Sequence, residues 1–216
     1  MGPACGDCAN GQFRDCFNEQ CITGDGLERS VVSINRKVPG PDIHVCRGDK
    51  IVVDLVNNMV GSSSVMHWHG FHMRATPWMD GNIIFAFCMH QIILWKYFAG
   101  VPYLTQCPVN YASTFRYSYI ATESGTLWYH SHSGFQKTNG HFGGIVVRDA
   151  LSSSREFNVH EYNRDLKEHL IVIAEWMDDL AEMFAPGLPT RGLGITPTNI
   201  LINGKGTKRD VSIFLH

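Results

Sequence analysis

Charge is scarce in this chain of 216 residues. Asp, Glu, Lys and Arg together make up 18% of it, the formal net charge is -2, and no long basic run occurs. Phosphate backbones and anionic lipid surfaces are gripped by clustered Lys and Arg, so neither nucleic acid nor a membrane surface is an expected partner. The beginning of the chain also lacks the apolar stretch of a signal peptide, since "MGPACGDCANG" is small and polar. Apolar residues stand at an ordinary 44%, and the length suits one domain plus part of another.

Cysteine, by contrast, is abundant and unevenly placed. Of seven, Cys5, Cys8, Cys16 and Cys21 fall in the first 21 residues, where no hydrophobic periodicity could support a core. Such a run reads as a disulfide framework made in an oxidising compartment. The expected localisation is therefore secreted, with a signal peptide upstream of the first residue shown. Zinc is the rival, because "CGDC" has the two-residue gap of a zinc knuckle. The wider gap between Cys16 and Cys21 favours disulfides. Cys46 and Cys107 are expected to join the disulfides, with the pairing open.

The rest of the chain reads as all-β. "RSVVSIN", "DIHVC", "KIVVDLVNN" and "SSVMHWHG" follow one another at short spacing, separated by "VPGPD", "RGD" and "VGSSS". "STFRYSYIA" sets Phe115, Tyr117 and Tyr119 against Arg116 and Ser118, the two-residue period of a half-buried strand. "GTLWYHSHSG" and "FGGIVVRD" complete the set, which suits a sandwich or barrel. Residues 1–25 form a Cys-rich extension, 26–150 a first β domain, 151–168 a polar linker, and 169–216 the start of an incomplete second domain. In that last part "HLIVIAEWMDD" is expected to be a buried strand and "LAEMFAP" a short helix.

One segment breaks the pattern. Residues 82–100, "NIIFAFCMHQIILWKYFAG", are bulky and apolar between stretches punctuated by Gly and Pro. A membrane helix is opposed by His90, Gln91 and Lys96, and a pair of core strands is the plain alternative. We read the segment as a translated intron. Gly81-Asn82 can encode a GT donor, and Phe98-Ala99-Gly100 a pyrimidine-AG acceptor. Removing it gives "WMDGVPYLTQCP" in frame, deletes Cys88 and leaves an even number of cysteines.

Histidine supplies the chemistry. On a strand, residues i and i+2 share a face, so His67 and His69 of "HWHG" project together, and so do His130 and His132 of "WYHSHSG". A lone His-X-His is more often a hydrogen-bonded or surface pair. Two such doublets, each followed by a small residue, can form a four-nitrogen half-shell if their strands are neighbours, and imidazole suits zinc, copper, iron and nickel. His72 is out of phase with the first doublet and reads as a loop residue, while His44 and His141 read as structural or exposed. "CMH", Cys88 to His90, lacks the companions of a blue-copper pair.

With these residues in view, the chain from about Cys16 to Gly206 resembles the multicopper oxidases, and within them the insect-type laccases. The likeness rests on "DGLERSVVSINRKVPGPDIHVCRGDKIVVDLVN", "HWHG", "TPWMDG", "VPYLTQCP", "TFRYSY", "WYHSHSGFQ", "FGGIVVRD" and "ILINGKG". It implies cupredoxin-like Greek-key barrels, with a second one beginning after the linker. The implied activity is oxidation of phenolic or similar reductants coupled to reduction of dioxygen to water. By the same likeness His67 is a type 2 copper ligand, and His69, His130 and His132 are ligands of the type 3 pair. Asp80 of "WMDG" is the acidic residue that aids proton delivery to oxygen; read by itself it is a turn residue before Gly81.

The departures from that pattern carry equal weight. A complete oxidase of this kind adds four histidines and a His-Cys-His segment from a later barrel, and this sequence contains no such segment. The chain is thus expected to hold half of a trinuclear copper site, to lack a type 1 site, and to be inactive without the missing C-terminal cupredoxin domain. The competing reading is a non-catalytic secreted module that holds copper or zinc with the same four histidines.

Overall fold

Alternating apolar and polar side chains build most of the strands where the sequence places them. In this computed structural model the described residues are 5–7, 12, 14–15, 18, 21–73, 75–80, 107–149, 166–184 and 196–206. The 82–100 segment, and the linker up to residue 165, lie outside them. The strands are β1 (Ile43–Cys46), β2 (Lys50–Val56), β3 (Met66–Trp68), β4 (Thr114–Ile120), β5 (Gly125–Ser131), β6 (Phe142–Arg148), β7 (Ile173–Trp176) and β8 (Asn199–Ile202). No α-helix occurs among the described residues; the only helical pieces are short 3-10 turns.

The chain divides into two compact units. One comprises residues 41–137 and 142–169 and contains two sheets. The larger runs β1-β6-β5-β3, with β1 parallel to β6 and the other neighbours antiparallel; the smaller is the antiparallel pair β2-β4. Their inner faces meet through aromatics. Trp68, only 1% exposed, lies with its ring centroid 5.3 Å from Tyr117, 5.4 Å from Tyr119 and 5.5 Å from Tyr129. The Tyr117 hydroxyl accepts a hydrogen bond from the Met66 amide at 2.9 Å, tying one sheet to the other. Large buried aromatics dominate the energetics of such a core, each contributing about 1.5–3 kcal/mol through burial. Glycine makes room for one of them: a Cβ at Gly143 would stand 2.4 Å from the Tyr129 hydroxyl oxygen, which itself donates to Pro41 O at 2.7 Å.

The other unit comprises residues 1–40, 138–141 and 170–216. In it β7 and β8 pair antiparallel. The Arg29 guanidinium lies 4.3 Å over the buried Trp176 ring and donates to the Met177 carbonyl and, at 2.9 Å, to Asn139 Oδ1. Cys5 and Cys21 form a disulfide, which takes Cys5 out of any zinc knuckle. Cys107 is also disulfide-bonded. Cys46, expected in a disulfide, is a free and exposed thiol.

Three expectations about elements are corrected. "RSVVSIN" is not a strand: the chain turns back at Asn35 and Arg36, both at positive φ, so that Ile34 and Lys37 exchange hydrogen bonds at 3.1 and 3.0 Å. "HLIVIAEWMDD" yields only β7, with one side in the open, since Ile173 is 68% exposed although Trp176 is buried. The predicted helix in "LAEMFAP" is a 3-10 turn at Ala181–Met183. The stretch between Leu180 and Pro186 is too short to repay helix nucleation.

Candidate metal centre

Strand register decides which side chains meet. β3 and β5 run antiparallel with Met66 opposite Ser131, His67 opposite His130 and Trp68 opposite Tyr129. The ladder continues at both ends, with the His69 amide donating to Trp128 O and the His132 amide to Val65 O, each at 3.0 Å. The two-residue period then sorts the side chains. Met66, Trp68, Tyr129 and Ser131 turn into the core, all buried. His67, His69, Trp128, His130 and His132 share the opposite face.

The four imidazoles crowd together there. The ring centroid of His67 lies 4.5 Å from His69, 5.4 Å from His130 and 5.8 Å from His132. His69 and His130 are 5.0 Å apart by centroid and 2.9 Å between Nε2 atoms. His130 and His132 are 6.1 Å apart and nearly parallel. One ring nitrogen from each of His67, His69 and His130 lies within 4.8 Å of the others.

Hydrogen bonds set the tautomers. His67 Nδ1 faces Asp80 O at 2.9 Å and Asp80 Oδ1 at 3.0 Å. Both oxygens accept, so Nδ1 carries the proton and Nε2 keeps its lone pair. His130 Nδ1 likewise donates to Ser131 O at 2.7 Å, which leaves its Nε2 as the acceptor of the bond from His69 Nε2. A single proton therefore lies between two nitrogens that could both serve a cation. Neutral imidazoles of fixed tautomer are the donor set that copper or zinc requires, and the residues present fit such a metal.

Electrostatics favours the neutral form at two of the rings. Burial lowers His130 to about 3; the Ser131 carbonyl opposes this, while Lys137, His67 and His69 add to it. Burial also lowers His69, helped by His67 and Lys137. At His67 burial works in the same direction, but the Asp80 carboxylate and carbonyl outweigh it and raise the pKa above its ordinary value. Asp80 follows the 3-10 turn Pro77–Met79, whose Pro77 carbonyl accepts its amide at 3.3 Å.

The structure thus brings His67, His69, His130, His132 and Asp80 to one place. The other candidates lie elsewhere. His72 is exposed, 3.7 Å from Glu123. His44 accepts from the Arg148 guanidinium at 3.2 Å. His141 is buried in the other unit, and Cys88 to His90 fall outside the described residues.

Sequence reasoning overlooked two features. Trp128, 40% exposed, stacks on His69 with centroids 4.3 Å apart and planes 12° apart. The period that pairs His130 with His132 also puts Trp128 on their face, so the signal was available. The second feature is a buried cluster around Gln136, which no spacing rule singles out.

Comparison with known proteins identifies the family. The family profile described as "Multicopper oxidase" matches residues 16–98 and 94–152. An L-ascorbate oxidase of Cucumis sativus is 32% identical over 84% of this chain and 27% of its own length. The iron transport multicopper oxidase FET3 of Candida glabrata is 33% identical over 83% of this chain and 25% of its own length. Among solved structures, the laccase from Botrytis aclada superposes with a TM-score of 0.66 at 25% identity, covering 87% of this chain and 30% of that one. The chain therefore spans little more than a quarter of the curated relatives it matches. The fold is the cupredoxin-like β-sandwich, and the chain belongs to the multicopper oxidase family of copper-binding oxidoreductases.

Proposed function

We propose that this chain contributes the first-domain half of the trinuclear copper site of an extracellular, insect-type laccase, which oxidises phenolic or similar reductants and reduces dioxygen to water. The observation that carries the reading is the register that sets His67 directly opposite His130, so that two His-X-His segments present four imidazoles on one face. In this reading His67 is a type 2 ligand, and His69, His130 and His132 serve the type 3 pair. Copper, when bound, supplies the one-electron steps between donor and dioxygen.

The chain's own residues bind, orient and hold protons. Asp80 keeps the proton of His67 on Nδ1 and so leaves Nε2 to the metal. Its carboxylate is part-buried beside the cluster, and in this reading it passes a proton towards oxygen. Trp128 covers one face of His69 and fixes its plane. A further cupredoxin domain is needed for the remaining ligands and for the thiolate site that receives electrons. In this reading a first cupredoxin-like domain spans 26–150 and the start of a second spans 169–216.

Titration of the purified chain with Cu(II) against a competing chelator tests this reading. Wild type is expected to take up copper, and His130→Ala and His67→Ala to weaken uptake by at least the roughly 100-fold that loss of an outer partner can cost. Unchanged uptake in both variants overturns the reading.

A further inference from the structure

Behind the histidine face lies a buried polar cluster that accounts for no part of the site described so far. Gln136, Ser131 and Ser64 are all buried. Gln136 Oε1 accepts from Ser131 Oγ at 2.6 Å and from Ser64 Oγ at 2.9 Å. Its Nε2 donates to Ser63 O at 2.8 Å and to Ser62 Oγ at 3.1 Å. Ser131 Oγ in turn accepts the Ser133 amide at 3.2 Å, and Ser133 Oγ donates to Ser63 O at 3.1 Å. Both functional ends of the Gln136 amide are thus engaged.

The placement of these bonds gives them their meaning. Ser62, Ser63 and Ser64 form the lead-in to β3, three to five residues before His67. Ser131 stands between His130 and His132, on the face turned away from them. At this end only the single bond from the His132 amide to Val65 O continues the ladder, and His132 itself lies beyond the last residue of β5. The backbone alone therefore holds His132 weakly. A buried amide with every partner in place is rigid, and losing it leaves several buried groups unsatisfied at about 1–3 kcal/mol each.

We propose that Gln136 is a positioning residue for the metal centre: one side-chain amide that clamps the lead-in of the first His-X-His segment to the end of the second and keeps His132 within reach of a shared metal. This rests on the reading under Proposed function. Gln136 touches no ligand nitrogen. It acts through Ser131, Ser133 and Ser64, as outer partners of metal ligands do.

Gln136→Met keeps the length of the side chain and removes its amide hydrogen bonds, while Gln136→Glu keeps the oxygen that serves both serines. Ile145→Val, in the core at β6, controls for general loss of stability. Two quantities are to be measured on the whole chain: amide hydrogen exchange of residues 62–69 and 130–136, and Cu(II) affinity. The expected result for Gln136→Met is exchange at His132 faster by at least about tenfold, and copper affinity lower by about 10–100-fold. Gln136→Glu should recover part of both, and Ile145→Val should alter neither ratio. Unchanged exchange at His132 overturns the clamp. Equal copper affinity in wild type and Gln136→Met overturns the positioning role alone. Failure of wild type to take up copper overturns the copper reading and the positioning role with it.

Discussion

At the scale of single residues, burial rather than residue type separates the histidines. His67, His69, His130 and His132 announced themselves through spacing, because the two-residue period is a geometric property of any strand. His141 gave no such signal and is nonetheless the most consequential histidine outside the cluster. It is 4% exposed, and its Nδ1 has no hydrogen-bond partner among the described residues. Burial lowers its pKa from 6.5 to about 4. In the folded chain it stays neutral, whereas the unfolded chain takes up a proton below about pH 6.5. The stability this site supports is therefore whole at neutral pH and is lost as pH falls from 6.5 towards 4. The loss amounts to about 3 kcal/mol at most. His141→Leu should flatten this part of the acid dependence, as read from urea denaturation at pH 7 and pH 4.5. A variant as acid-sensitive as wild type over that interval contradicts the assignment. Cys46 shows the opposite limit: a cysteine count suggests pairing, but only geometry shows that this thiol is free.

Elements were legible where alternation was strong and illegible where partners decided the outcome. "STFRYSYIA" became β4 with Tyr117 and Tyr119 buried as its pattern requires. "RSVVSIN" carries equally good strand residues, yet no strand among the described residues pairs along it, and the turn at Asn35 and Arg36 directs the chain elsewhere. Strand propensity describes a surface ready to pair and cannot supply the partner. The β5–β6 pairing shows how strictly such partners are specified. Tyr129 lies opposite Gly143, and its ring occupies the space that a side chain there would fill. Gly143→Ala should displace the ring, break the bond from its hydroxyl to Pro41 O and destabilise the chain by about 1–3 kcal/mol. Thermal denaturation together with amide exchange in β5 would register this. An unaltered midpoint would mean that the two strands separate more readily than their contacts imply.

For the molecule as a whole, the family and the β-sandwich could be read from the sequence because two His-X-His segments sit in a recognisable order, whereas the register that joins them could not. A His-X-His doublet says which face its rings share, but only the pairing of His67 with His130 shows that the two faces are the same. The same inventory of residues bounds what this chain can do by itself. Intense blue absorption requires a cysteine thiolate bound to copper beside two histidines. None of the seven cysteines stands between two histidines, and the free thiol at Cys46 has only His44 two residues away, already engaged with Arg148. Copper taken up by the purified chain should therefore give the electron paramagnetic resonance signal of nitrogen-coordinated Cu(II), with nitrogen hyperfine structure from imidazole, and no intense blue band. Under the proposed reading, phenols should not be oxidised by the purified chain, because no His-Cys-His segment is present in it to take an electron from the donor. A blue band would show a thiolate copper site within this chain, and measurable turnover with the four histidines intact and lost in His130→Ala would show that the half-site works without the domain we take to complete it.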